Sequence, residues 1–428
     1  MSVQAVVEQG IGAAEVVAGL LGNGFNGDIH RPGDAEYDVL RRSVVPTFES
    51  RPVVVAEANG RTDVQAAVRT ARELGLPLAV QATGHGTRIP ADGGILLRTS
   101  AMTSLLIDSE RMIAKVGPGT RWGAVIDAAA QFGLAPLAGS SRDVGVTGYT
   151  LGGGVGWLAR KYGFAADSVV RAEVVTADGR VVTASADEHP ELFWAIRGGS
   201  GNFGIVTSLE FRLYPVRQVH AGILYFGFDR AAQILRHYRD WTATIPNELS
   251  TAVVLTRTPD GRRAVALKVL YAGEADLAEH ILKPLLATAG PQLAGELRTM
   301  PFGESAMGGT PARYLDLVDT LPDDLIDRLV ALPDATVEIR HWGGAMEHPG
   351  PGAGPVGHRE ATYSLIIDQE VPELADVLRT TGRTFVNFLA DPSRTATAYS
   401  ATDYRRLREV KRTYDPTNFF HLNHNIRP

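Results

Sequence analysis

The sequence predicts an α+β protein of two domains, and three observations carry that expectation. The first is length, because 428 residues are more than one hydrophobic core ordinarily serves. The second is a strand–helix–strand pattern between Pro52 and Gln81, of the kind that builds a parallel sheet. The third is a change of texture after Val216, where alternating strands interleave with helical stretches, which suits an antiparallel sheet with helices on one face.

The elements follow in order. Val53 to Ala56 is an apolar strand, and Thr62 with Gln65 reads as a capping box opening a helix whose Val64, Ala67, Val68, Ala71 and Leu74 recur at helical spacing. Gly75 and Pro77 stop that helix, and the next strand, Leu78 to Gln81, runs directly into the glycine-containing loop Ala82 to Thr87. A second amphipathic helix starts at Thr120, with Trp122, Val125, Ile126 and Ala129 on one face. From Leu137 to Gly156 nine positions are Gly or Ser, a composition that lets backbone lie close against a ligand. Val169 to Ala184 is a hairpin turned at Asp178-Gly179, and Ile205 to Tyr214 is a strand ended by Pro215. Beyond Val216, strands at Ile223 to Phe228, Thr251 to Thr256 and Arg263 to Leu270 alternate with helices around Ala231 to Trp241 and Leu277 to Ala289. Pro349 to Gly357 is a loop. His358 and Arg359 begin a further strand, and the tail is helical from Asp403 to Asp415-Pro416.

Bulk chemistry narrows the function. A hydrophobic content of 44% and a charged content of 21% exclude disorder and fibre. A net charge of -6 offers no positive excess for a nucleic-acid partner. With no cysteine, disulfides, thiolate metal sites and cysteine nucleophiles are all excluded, so redox chemistry needs a bound cofactor and no metal site is expected. The first thirty residues carry Glu8 and Glu15 and no leader pattern, and no apolar run is long enough for a membrane span, so a cytoplasmic protein with a small-molecule substrate is expected.

Gly154-Val155-Gly156-Trp157-Leu158-Ala159 fits the glycine pattern of a nicotinamide-binding turn, but the run before it is interrupted by Gly145 and Gly148, where such a turn needs a buried strand. A better reading takes three segments together: Gln81-Ala82-Thr83-Gly84-His85-Gly86, Val144-Gly145-Val146-Thr147-Gly148-Tyr149-Thr150-Leu151-Gly152-Gly153-Gly154, and Gly201-Asn202-Phe203-Gly204-Ile205-Val206-Thr207. Loops of Gly, Ser and Thr present convergent backbone N–H groups to a pyrophosphate without side chains in the way. In order and spacing the three segments resemble the FAD-binding domain of the vanillyl-alcohol oxidase and p-cresol methylhydroxylase superfamily. Leu192-Phe193-Trp194-Ala195-Ile196-Arg197-Gly198-Gly199 and the tail Tyr414-Asp415-Pro416-Thr417-Asn418-Phe419 with Asn423-His424-Asn425 resemble its berberine-bridge-enzyme-like oxidases.

The resemblance implies a two-subdomain FAD-binding domain of the vanillyl-alcohol oxidase type, residues 1–216 and 395–428, with an inserted antiparallel-sheet substrate domain, 217–394. It implies a single covalent bond from His85 to the flavin 8α-methyl carbon, a bond that needs a neutral ring nitrogen and the close approach that Gly84 and Gly86 allow. Cofactor contacts are expected from Gln81, Ala82, Thr83, Gly84, His85 and Gly86, and from Gly139, Ser140, Ser141, Val144, Gly145, Gly148, Tyr149, Gly153, Gly154 and Gly156. Gly204, Val206, Asn423 and Asn425 complete that set. Ser141 stands where many members carry a second, cysteinyl link, which cannot form here. The resemblance implies that Val144 stands beside the flavin edge where oxygen reacts; a plain core contact is the other reading of that valine.

Some members deprotonate a substrate hydroxyl with an aromatic pair in a Tyr-x-Asn-Tyr segment, which here resembles Phe385-Val386-Asn387-Phe388, and a phenyl ring cannot accept a proton. Candidates for the catalytic and substrate contacts are therefore Tyr149, Asn387, Glu338, Arg340, His341 and His358. Strand alternation puts Glu338, Arg340 and Trp342 on one face and His341 on the other. The expected activity is hydride removal from a small organic molecule, an aromatic natural product or alkaloid, with electrons passed to oxygen. A dehydrogenase with another acceptor, a flavoprotein cyclase or isomerase, and a drug-binding flavoprotein are the alternatives.

Overall fold

The structure is a computed structural model that describes residues 11–45, 48–369 and 381–428. Glu8, cited above for the absence of a leader pattern, lies outside them.

The chain builds three sheets in succession. The first takes β1 (Asp28–His30), β2 (Val54–Glu57), β3 (Leu78–Gln81) and β4 (Ile95–Arg98) in the order β1-β2-β4-β3. Helices α1 (Ala13–Gly22) and α2 (Arg61–Glu73) cover it through Val16, Leu20, Val64, Ala67, Val68 and Ala71, the residues that recur at helical spacing. The expected strand–helix–strand unit is present, but β4 lies between its strands and pairs parallel with both. The expected capping box is not. Helix α2 starts at Arg61, and Asp63, three residues past the Gly60 cap, accepts from the Asn59 and Gly60 N–H groups at 2.8 and 3.2 Å. Gln65 instead donates to the carbonyl of Gly179.

The second sheet is antiparallel, with β5 (Leu105–Asp108), β6 (Ile113–Val116), β7 (Val169–Val175), β8 (Val181–Ser185) and β9 (Ile205–Arg212) ordered β5-β6-β9-β7-β8. Helices α3 (Trp122–Ala130), α4 (Val146–Leu151) and α6 (Pro190–Ile196) share its core, whereas α5 (Ala159–Tyr162) packs against the strand Leu249–Arg257 of the third sheet.

The third sheet has seven antiparallel strands, β10 (Gln218–Gly227), β11 (Leu249–Arg257), β12 (Arg263–Tyr271), β13 (Gln292–Pro301), β14 (Tyr314–Val318), β15 (Val337–His341) and β16 (Tyr363–Ile367), ordered β13-β10-β12-β11-β15-β16-β14. Helices α7 (Ala231–Thr242), α8 (Ala275–Ala289) and α9 (Asp323–Ala331) seal one face, with Ile234, Leu235, Tyr238 and Trp241 of α7 in the shared core. The other face packs Ala221, Ala252 and Leu270 against Leu137, Trp157 and Leu158, so the glycine-rich segment lies against this sheet. His358 and Arg359 do not begin a strand: His358 sits in a turn with φ +55, and β16 starts at Tyr363. Helix α10 (Ala401–Tyr414) returns the chain to the second sheet through Leu407 and Val410. Among the described residues no helix is long and apolar enough to cross a membrane.

Candidate functional site

The loop after β3 is shaped by Gln81, whose amide donates to the Arg42 carbonyl at 3.0 Å. At Gly84, φ is +82 and a Cβ would stand 2.9 Å from that amide and 3.1 Å from the Ser43 backbone, so glycine is required. His85 follows, half-buried, with Nδ1 2.9 Å from the Thr83 hydroxyl. Burial and the nearby Arg121 lower its pKa against an opposing pull from Asp143, which keeps the imidazole neutral near pH 7. Thr83 and Ala82 lie against Gly145, with the Thr83 hydroxyl 3.3 Å from where a Cβ on Gly145 would stand, so the two expected cofactor loops meet. The tail closes over the same loop. Asn423 Oδ1 accepts from the Arg88 and Ile89 N–H groups at 2.8 and 3.1 Å.

Most glycines of the second loop lie where a Cβ would meet neighbouring protein atoms. The Tyr149 ring presses on Gly139 and Gly154, where a Cβ would be 2.8 and 2.4 Å from ring carbons, and at Gly156 a Cβ would meet the Ala138 carbonyl at 1.9 Å. At Gly153 a Cβ would stand 3.0 Å from the Phe385 ring and 3.3 Å from Val356, so protein packing by itself requires a glycine there. Gly204 is likewise a packing residue, lying against Val174 and the Val175 carbonyl, and Val206 is buried in the core of the second sheet. By contrast, a Cβ on Gly86 or Gly148 would have no atom within 4 Å. Ser141 is exposed, with its hydroxyl accepting from the Asp143 N–H at 3.3 Å. Val144 packs against the core beneath α3.

Asn387 holds the second loop from the other side, accepting from Gly154 N–H at 2.9 Å and donating to the Tyr149 carbonyl at 3.0 Å. Both ends of its amide are thus committed to backbone. Phe385, its neighbour, stacks on Phe164 and meets Trp342 edge-on. The Tyr149 hydroxyl is buried without a partner, and burial drives its pKa far above the ordinary 10, so it stays protonated.

On β15, Glu338 and Arg340 face the glycine-rich segment. Arg340 donates to Glu338 at 3.0 Å and reaches the Ser140 hydroxyl at 3.4 Å, with its guanidinium 4.2 Å over the Trp157 ring. Lys268 of β12 donates to Glu338 at 2.9 Å and Thr310 donates at 3.0 Å. Burial raises the Glu338 pKa, but Arg340 and Lys268 outweigh it and hold the group as a carboxylate below its ordinary value. Lys268 and Thr310 were missed in the sequence. Lys268 had a signal, being the charged member of the inward set Ala264, Ala266, Lys268 and Leu270 on its strand.

Two expected site residues stand elsewhere. His341 points to the helix side of the sheet, 3.2 Å from Arg160 and against the Tyr363 ring, and burial with Arg160 pulls its pKa down to about 3. His358 bonds the Thr397 carbonyl at 2.9 Å. Neither joins Glu338 and Arg340.

The residues present fit FAD. Buried polar atoms in native proteins are almost always hydrogen-bonded, yet Thr147 Oγ1 and Thr150 Oγ1 on α4, and His424 Nδ1 and Asn425 Oδ1 in the tail, have no partner among the described residues. All four lie on segments expected to hold the cofactor. His424 is neutral, its pKa pulled to about 4 by burial and Arg88, so it too serves as a neutral hydrogen-bonding group.

Comparison with known proteins agrees. Residues 52–185 match a family described as FAD binding domain, and 384–427 match Berberine and berberine like. The chain is 31% identical to (R)-6-hydroxynicotine oxidase of Paenarthrobacter nicotinovorans, over 94% of this chain and 97% of that one. It is 26% identical to xylooligosaccharide oxidase of Thermothelomyces thermophilus, over 88% and 87% of the two chains. The crystal structure of 6-hydroxy-D-nicotine oxidase from Arthrobacter nicotinovorans superposes with a TM-score of 0.85 at 28% identity, covering 95% of this chain and 99% of that one. The fold, the two matched regions and the full-length relative at 31% identity place the chain in the berberine-bridge-enzyme-like FAD-linked oxidases of the vanillyl-alcohol oxidase superfamily, as an FAD-dependent oxidoreductase.

Proposed function

We propose that the protein is an oxidase that removes a hydride from a C–H next to nitrogen in a small aromatic or alkaloid amine and passes the electrons to oxygen. FAD, when bound, supplies the two-electron acceptor that takes a hydride from carbon and returns the electrons to dioxygen as hydrogen peroxide. His85 would hold it through a neutral ring nitrogen on the 8α-methyl carbon, with Gly86, Gly145 and Gly148 giving backbone access and Thr147, Thr150 and Asn425 offering unpaired polar atoms.

One observation carries the choice of nitrogen over oxygen: Phe385 and Phe388 occupy the segment where the family's phenolic base falls, and among the described residues the candidate substitutes are committed elsewhere. An alcohol must lose its hydroxyl proton as the hydride leaves, which needs an acceptor within hydrogen-bond reach. Tyr149 is held protonated by burial, Glu338 is tied to two cations, and His341 lies on the far face of the sheet. An amine bound as its free base needs no such acceptor, since its own lone pair assists hydride departure and the product is the iminium. The sheet of β10 to β16 would form the ceiling of the pocket, and the separation of residues 217–394 as a substrate domain belongs to the same reading. Similarity to an oxidase named for 6-hydroxynicotine, an alkaloid, supports it.

The test is aerobic incubation of the holoenzyme with matched secondary amines and alcohols, following peroxide and the mass of the product. Peroxide with loss of two hydrogens from the amines is expected. Oxidation of alcohols alone sinks the assignment of nitrogen, and flavin reduction that needs an added dye for turnover makes the protein a dehydrogenase. For the link, acid-precipitated protein should keep its flavin fluorescence and His85→Ala should release it; a colourless wild-type pellet contradicts the attachment.

A further inference from the structure

Three neighbouring strands bring two cations into one row. Ala252 of β11 is paired with Lys268 of β12 on one side and Arg340 of β15 on the other, and Ala252 is buried on the face that meets Trp157 and Leu158. Because alanine ends at Cβ, both long side chains lean over the same spot. Two residue pairs further along, on the same face, Glu338 receives Lys268 Nζ at 2.9 Å and Arg340 Nη2 at 3.0 Å. All three are buried, Glu338 at 1%, Arg340 at 7% and Lys268 at 8% relative exposure, and among the described residues no second carboxylate pairs with either cation. The cluster therefore holds two positive charges against one negative. An uncompensated charge in such a place is costly unless something supplies its partner.

Unpaired donors gather at the same patch. Arg340 Nε, Trp157 Nε1 and the Tyr149 hydroxyl are each buried without a hydrogen-bond partner. Trp157 lies under the guanidinium at 4.2 Å, and the Tyr149 hydroxyl is 3.4 Å from where a Cβ on Gly156, the residue before Trp157, would stand. Arg340 also reaches Ser140, beside Gly139 and its contact with the Tyr149 ring. The described residues thus leave one positive charge and three donors unmet, and these call for an anionic acceptor.

We propose that Arg340 and Lys268, positioned by Glu338, form the subsite for a carboxylate on the substrate, with Trp157 and Tyr149 as further donors. The inference rests on the proposed function in taking this face of the sheet as the substrate pocket, and it narrows the substrate to an amine that also carries a carboxylate. Charge-assisted, bidentate recognition by arginine is the strong form of such contacts.

The probe is benzoate, with benzamide as a neutral molecule of the same shape, each titrated into the holoenzyme and followed by the change in flavin absorbance. Benzoate should bind at least about tenfold more tightly than benzamide. Arg340→Gln and Lys268→Met, each removing one cation, should bring the ratio to within about twofold while leaving benzamide binding nearly unchanged. The Lys268→Met/Glu338→Gln pair restores the single excess positive charge, and it should restore the preference. It also serves if a single variant fails to yield holoenzyme. A wild-type protein that binds the two probes equally, or binds neither, overturns the inference. So does an unchanged ratio in the variants, including the case where Arg340→Gln shifts the flavin midpoint potential, since the charge would then serve the cofactor. Because neither probe is oxidised, the binding ratio and the peroxide assay fail independently.

Discussion

Lys411 offers the sharpest test of how the tail is held to the cofactor domain. It lies in α10 with no exposed surface, and its three ammonium protons are spent on Asp415 Oδ2 at 2.7 Å, the Asn202 carbonyl at 2.7 Å and the Phe420 carbonyl at 2.8 Å. Asp415 in turn accepts from the Phe419 and Phe420 N–H groups at 2.7 and 2.8 Å. Asn202 binds the end of the tail, donating to the His424 carbonyl and accepting from Ile426 N–H. Lys411→Met keeps the volume but strands a buried carboxylate, a change that costs about 3–5 kcal/mol. With about 2.1 cal/mol/K of unfolding entropy per residue over 428 residues, that is a fall in Tm of about 3–6 °C if the chain melts as one unit. Scanning calorimetry of the holoenzyme reads it directly. FAD occupancy should fall as well, because Asn423 and Asn425 ride on the same segment. Lys411→Met/Asp415→Asn should be less damaging than Lys411→Met alone, since no charge is left uncompensated. A single variant within 1 °C of wild type, or a double variant worse than the single, would refute the reasoning.

Other outcomes follow from individual contacts. Gly154→Val places a branched carbon where Cβ alone is 2.4 Å from the Tyr149 ring, at φ +70, and should abolish soluble expression, whereas Gly148→Ala, with nothing within 4 Å, should keep the melting temperature and lower FAD loading if that backbone approaches the cofactor. His341 has a folded-state pKa pulled below its ordinary 6.5 to about 3. The unfolded chain therefore takes up the proton first as pH falls, and stability drops between those values by up to about 1.4 kcal/mol per pH unit. His341→Gln should flatten that slope in urea melts between pH 7 and pH 4. Buried Asp316, with one carboxylate oxygen unpaired among the described residues, has its pKa raised by burial to about 6, so Asp316→Asn should stabilise the protein at pH 7 by about 1–3 kcal/mol and lose that gain as the pH falls below 6. Val144→Leu should slow reoxidation of the reduced enzyme in stopped-flow while leaving anaerobic reduction by substrate nearly unchanged; equal slowing of both would make Val144 a packing residue.

The fold was legible where side-chain periodicity was strong. The α2 and α7 stripes and the strands on either side of Asp260-Gly261 stand where the pattern put them, because burial of one face fixes both period and register. What failed was local and polar. At α2 the cap moved from Thr62 to the Gly60–Asp63 pair because a carboxylate three residues past a glycine satisfies two backbone donors at once. At His358 a strand was expected where the chain turns through positive φ, and the rigid Pro/Gly run before it gave no sign of where pairing resumes. Strand alternation separated Glu338 and Arg340 from His341 correctly. Only the three-dimensional sheet could bring in Lys268, 70 residues away, because order within an antiparallel sheet does not follow from the sequence of its strands.

The glycine-rich run shows how one sequence feature can serve two tasks. Read alone, Gly139 to Gly156 looks like a continuous phosphate cradle. In the folded chain Gly139, Gly154 and Gly156 are shaped by Tyr149 and the Ala138 carbonyl, and Gly153 by Phe385. Tyr149 works as a wedge: its ring sets the path of the loop, Asn387 fixes both ends of that path, and the path in turn sets where Ser140 meets Arg340. The two loops proposed to hold the cofactor are thereby tied to each other by Thr83 and Gly145, and the first of them to the tail by Asn423. The large sheet touches this assembly through side chains, Arg340 on Ser140 and on Trp157, rather than through shared backbone pairing. Side chains on one face of a strand can change without moving its register. If this sheet is the ceiling of the substrate pocket as proposed, substitutions at 252, 268, 338 and 340 would alter what it recognises while leaving the loops beneath it in place, which is the arrangement expected if one flavin scaffold is to serve many substrates.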